Sequence, residues 1–182
     1  MTKSLVEKRA STLWIMLLTI ASTVTTLALA CATPFPALSA LAALHMRRSD
    51  GVWLAVAAWV ASQAVGFGLL GYPHDPSTLG WGIGLGCAAV ISALAAHAVA
   101  DRFAGLGIAI RLGLAYVAGF IAFKAVIALF ALKLGGMAIS LSPSLMVEQF
   151  ARNAAILLGL LALYRGLVAI GMPAPTGRLK AA

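Results

Sequence analysis

The chain has 182 residues, 62% of them hydrophobic and only 10% charged, with a formal net charge of +8 and two cysteines. Soluble domains are about half apolar and about a quarter charged, so a soluble core of this length cannot hide so much apolar surface, and lipid is the expected solvent for much of it. The cations share no common face, which sets nucleic-acid binding aside in favour of membrane orientation and anionic headgroups.

The chain begins with Lys3, Lys8 and Arg9 ahead of an apolar run. This start and the stretch Leu27-Ala28-Leu29-Ala30-Cys31 have the look of a secretory or lipoprotein signal. Ala28 stands where a lipoprotein site wants Leu, and the run is as long as a full span, so a retained first helix over about 12–32 is expected. Pro34 and Pro36 end it. Span 2, 37–46, is too short to cross straight, which places the break 33–36 below the surface. Irregular backbone at that depth must be buried in protein or line a water-filled cavity, and the break is a cavity candidate.

Arg47-Arg48-Ser49-Asp50-Gly51 reads as a tight turn leading into span 3, 52–71, which carries Gln63 near mid-depth. The loop Tyr72 to Thr78 is stiffened by Pro73 and Pro76 and holds His74 beside Asp75. Span 4, 79–100, opens with Gly80, Gly82, Gly84 and Gly86 around Trp81. Gly80/Gly84 and Gly82/Gly86 are G-x-x-x-G pairs, which permit close helix contact. No strand precedes them and G-x-G-x-x-G is not matched, so a nucleotide loop is excluded. Span 5, 108–134, carries Arg111, Lys124 and Lys133; a loose segment, 135–144, follows. Span 6, 145–170, starts with Glu148, Gln149, Arg152 and Asn153. Basic residues occupy alternate breaks (Lys3 to Arg9, Arg47-Arg48, Arg102, and Arg178 with Lys180), while 33–36, 72–77 and 135–144 hold none. Cytoplasmic loops keep Lys and Arg. The alternation therefore predicts an all-α polytopic protein, one bundle of six transmembrane helices over residues 1–182, with both ends inside.

The outer polar residues are the candidates for chemistry, because charges inside a membrane helix are costly and face a cavity or a partner. Glu148 and Arg152 are spaced i, i+4 and share a face, either as a self-neutralising pair or, with Gln149 and Asn153, as the wall of an outward polar site. Lys124 has no carboxylate in its own helix; it either pairs with Glu148 across helices or meets an anionic group on a ligand. Gln63, His74 and Trp81 complete the set of candidate substrate contacts. His45 and His97, near the inner ends of their spans, are expected at the interface, and Lys133 is expected to snorkel. No G-x-S-x-G, no H-E-x-x-H and no carboxylate cluster occurs, so an enzyme is not expected. Cys31 and Cys87 fall in different spans without metal spacing, so neither a disulfide nor a resident metal is expected.

The prolines after span 1, the short span 2, the Arg47-Arg48 turn and the long Gly- and Pro-rich breaks after spans 3 and 5 resemble, in layout, the membrane-embedded substrate-binding (S) components of energy-coupling-factor vitamin transporters, the biotin-binding branch above all. The resemblance implies uptake of a small micronutrient through a site open to the outer face of a bacterial inner membrane, with span 6 supplying polar contacts. It implies partnership with a transmembrane coupling subunit and ATPases, since this chain has no P-loop, and no cofactor of its own. Some relatives act without a dedicated partner. A corrinoid substrate is one option, with Cys31 or His74 offering its metal an axial ligand. The alternative is a small structural or assembly membrane protein with no substrate, docking through the glycine face of span 4.

Overall fold

The structure, a computed structural model, describes residues 2–28 and 34–175, with side chains for 9–24 and 34–175; Cys31 and the end of the first predicted span lie outside them. The described residues are helical, with no strand. In chain order they form α1 (Thr2–Ala28), α2 (Phe35–His45), α3 (Arg48–Gln63, running on as a π-helical stretch Ala64–Leu69), α4 (Pro76–Arg102), α5 (Ile108–Leu134), α6 (Met137–Ser140) and α7 (Pro143–Ala169). Four helices are long and apolar enough to cross a membrane: α3 with its π extension, α4, α5 and α7. The bundle has one end carrying Arg47, Arg48 and Arg102, here the basic end, and an opposite end formed by 70–75 and 135–142, which holds no Lys or Arg and is called uncharged in that sense, Asp75 being its one acid.

The core is built around the shortest of the apolar helices. At 1.5 Å per residue α2 is about 16 Å long, yet all eleven of its residues are buried. It packs against α3, α4, α5 and α7. Its sequence, Phe-Pro-Ala-Leu-Ser-Ala-Leu-Ala-Ala-Leu-His, explains why: small side chains on every face let four neighbours approach at once. Pro36 takes a first-turn position where its missing N–H costs nothing. The facing side of α4 is likewise alanine, with Ala88, Ala89, Ala93, Ala96 and Ala100 fully buried.

The glycines of α4 split between two neighbours. A Cβ at Gly80 or Gly84 would meet Leu134 (3.1 Å) or Phe130 (2.8 Å) of α5, and one at Gly82 or Gly86 would meet Gln63 or Trp59 of α3, both at 2.7 Å. Trp59 Nε1 also donates to Gly82 O at 2.8 Å. Each G-x-x-x-G pair thus packs on a different helix of the same chain.

One expectation changes. The segment 135–144 was expected to be loose, but it contains α6. Gly135 and Gly136, with φ of +87° and +84°, reverse the chain in a region of backbone space open mainly to glycine, and a new helical turn starts at once. His45 and His97, near the basic end, are buried within the protein, and each Nδ1 donates to a carbonyl one turn back, Leu41 O at 2.9 Å and Ala93 O at 2.8 Å. That bond gives a ring nitrogen its partner within its own helix, which is what allows burial. At the basic end Ser11 donates to Asp50, Trp14 Nε1 donates to Pro173 O at 2.8 Å, and the Trp14 ring packs on Tyr164 at 4.9 Å, so α1 is tied to α3 and to the segment after α7.

Candidate functional site at the uncharged end

α5 presents Tyr116, Phe120, Phe123, Lys124 and Ile127 to the interior. This i, i+4, i+7, i+8, i+11 spacing describes one face of a helix, so the same face that buries aromatic rings carries the lysine inward. Lys124 is 6% exposed. Its Nζ donates to Ser140 O, the last residue of α6, at 2.9 Å, and to Gln149 Oε1 of α7 at 2.8 Å. Three elements therefore meet at one ammonium group. Both acceptors are neutral, and an ammonium has three protons to donate.

Glu148 is not the partner of Lys124. It accepts from Arg152 one turn along α7, and both side chains are well exposed, the self-neutralising pair that the i, i+4 spacing allows. Asn153, on the buried side of α7, donates through Nδ2 to Gln149 O at 3.0 Å, while its Oδ1 is buried with no hydrogen-bond partner among the described residues. Gln149 thus links a lysine with a spare donor to an asparagine with a spare acceptor. Below them Tyr116 OH donates to Phe150 O at 2.5 Å, and Phe150 packs on Tyr116 and Phe120 with ring centroids 4.9 and 5.1 Å apart. These contacts join α5 to α7.

The remaining candidates lie elsewhere. Gln63 sits at the α3–α4 contact, with Nε2 donating to Ser62 Oγ at 3.2 Å and Oε1 against Gly82. His74 is exposed and stacks its ring near Phe67, 5.2 Å away, on the π-helical turn. Trp81 is partly buried and approaches Gly136, which places it beside the α5–α6 turn. Asp75 caps α4: its carboxylate accepts from Ser77 N (2.9 Å), Thr78 N (3.0 Å) and Thr78 Oγ1 (2.7 Å). The Thr78 hydroxyl, then the Thr78 amide, hold its carboxyl below the usual carboxylate range.

The structure thus brings Lys124, Gln149 and Asn153 together, sets Glu148 and Arg152 apart as a pair, and leaves Gln63 and His74 on the other side. Sequence reasoning missed Tyr116 and the Ser140 carbonyl. Tyr116 was within reach, since 116, 120 and 124 follow helical spacing; a backbone carbonyl leaves no such signal. Compared with protein-family models, curated proteins and solved structures, the chain matches none of them.

Proposed function

We propose that this chain is a six-span membrane protein, with both ends on the cytoplasmic side, that binds a small anionic micronutrient at its outer face for uptake. The observation that carries the reading is the buried Lys124 ammonium, held by two neutral oxygens and by no carboxylate among the described residues. A buried charge without a countercharge is costly unless something supplies one. A carboxylate or phosphate on the solute would do so at the third N–H, while a donor on the same solute would answer the orphaned Asn153 Oδ1. The buried short α2 and the breaks around the uncharged end support the layout of a vitamin-binding S component. Energy would come from separate subunits.

A structural reading is favoured by one observation: Lys124 also clamps α5, α6 and α7 together. The two readings separate in a thermal unfolding assay of purified protein with biotin, pantothenate, thiamine and cobalamin. A ligand at one hundred times its Kd stabilises by about 2.7 kcal/mol, and that shift should appear with an anionic member of the panel and vanish in Lys124→Gln. If no vitamin shifts the transition while Lys124→Gln lowers it, the chain is an assembly protein and the uptake reading is wrong.

A further inference from the structure

At the basic end α5 and α7 diverge over α2 and leave a crevice of about 400 Å³, within the roughly 300–1,000 Å³ of small-molecule sites. Leu112 and Gly113 of α5 face Leu158 and Leu161 of α7 across it, and of all its lining residues only His45 and Arg165 are polar. His45 is buried, its Nδ1 committed to Leu41 O. Arg165 is exposed and has no carboxylate partner among the described residues. The crevice therefore has a greasy interior and a free guanidinium, at the end of the bundle that also carries Arg47, Arg48 and Arg102.

We propose that this crevice holds one acyl chain of an anionic phospholipid, with the lipid phosphate on Arg165. A helix about 10–12 Å across could only lie over a crevice of about 400 Å³, whereas a slender chain fills it, and the exposed guanidinium at its edge matches an anionic head on that chain. The apolar walls match hydrocarbon. A guanidinium is suited to bidentate contact with phosphate oxygens, and basic pockets between membrane helices are known positions for anionic headgroups. Arg165 lies one turn from the end of α7, at the level where a headgroup meets a span. The site rests on reading the long helices as membrane spans; it is separate from Lys124 and does not depend on solute binding.

The test is native mass spectrometry of the full chain in neutral detergent, titrated with dioleoyl phosphatidylglycerol, dioleoyl phosphatidylcholine or oleate. One phosphatidylglycerol should be retained about tenfold more tightly than phosphatidylcholine, whose phosphate makes the same hydrogen bonds but whose choline cation offsets its charge and is repelled by Arg165. Arg165→Gln should erase that preference. Gly113→Phe should abolish retention of both lipids without lowering the unfolding temperature of the lipid-free protein, because a Cβ at Gly113 meets nothing within 4 Å and the ring can turn into the empty crevice. Equal retention of the two phospholipids by the unaltered chain overturns the proposal, as does an unchanged preference in Arg165→Gln. Oleate held as tightly as phosphatidylglycerol would overturn the phospholipid assignment. Failure of the spanning reading would look different: the chain would stay monodisperse once detergent is removed.

Discussion

Lys124 and Asp75 are both polar residues held by neutral donors or acceptors, and the difference between them lies in depth. Asp75 stands in solvent at the head of α4, where three donors from Ser77 and Thr78 satisfy its carboxylate; its role is to cap a helix. Lys124 is buried and its partners are a carbonyl and an amide oxygen. The i, i+4 spacing was enough to reveal the Glu148–Arg152 pair, because both partners lie on one helix. Lys124's partners were not legible, because Ser140 is brought to it by a turn that composition gave no reason to expect. The Asp75 cap yields a pH prediction. Its folded pKa is depressed, so its contribution to stability is complete above the unfolded value, about 3.9, and is lost as pH falls through the folded one. Asp75→Asn keeps a good cap without the charge. The drop in unfolding temperature between pH 7 and pH 3 should therefore be smaller in Asp75→Asn than in the unaltered protein; an equal drop would show that Asp75 takes no part in the acid response.

At the scale of the helix, α4 carries most of the packing information. Its alternating glycines were readable as two G-x-x-x-G pairs, but not as belonging to two different neighbours, since period alone does not say which helix lies on which side. α5 needed no such help: its predicted range and its helix coincide at 108–134, because Gly107 and Gly135 bracket a run that is apolar apart from Arg111, Lys124 and Lys133. The glycine contacts differ in kind. A methyl group at Gly84 would press on Phe130 at Cγ, Cδ1 and Cβ, near the root of the side chain, whereas one at Gly82 would press on Gln63 Oε1, the far end of a flexible side chain. Overpacking of a tight contact costs about 1–3 kcal/mol. Gly84→Ala should show a loss in that range by thermal or denaturant unfolding, and Gly82→Ala less than half of it. Adding Phe130→Ala should remove most of the penalty at Gly84, since the two sites are in contact and couple. A Gly84→Ala protein as stable as the parent would mean that α4 and α5 are further apart than described.

For the whole molecule, the distribution of charge and the packing of α2 bear on the same question. Lys and Arg cluster at one end of the bundle and are absent from the connections at the other, an asymmetry that needs no structure to see. What the charges could not convey is that the short second helix is the centre of the bundle, enclosed by α3, α4, α5 and α7; its alanines fit a surface span equally well. If the charge asymmetry sets orientation, the α5–α6–α7 connection faces out and the α4–α5 connection faces in. Ala138 on α6 and Ala104 after α4 are both exposed, so each can carry a reporter cysteine once the native cysteines are replaced by serine. In intact cells a membrane-impermeant maleimide should label Ala138→Cys and leave Ala104→Cys untouched until the membrane is opened. The reverse pattern would invert the molecule and place Arg165 and its crevice outside. Labelling of both positions in intact cells would remove the bilayer from between them, and with it the reason for treating the uncharged end as the mouth of an uptake site.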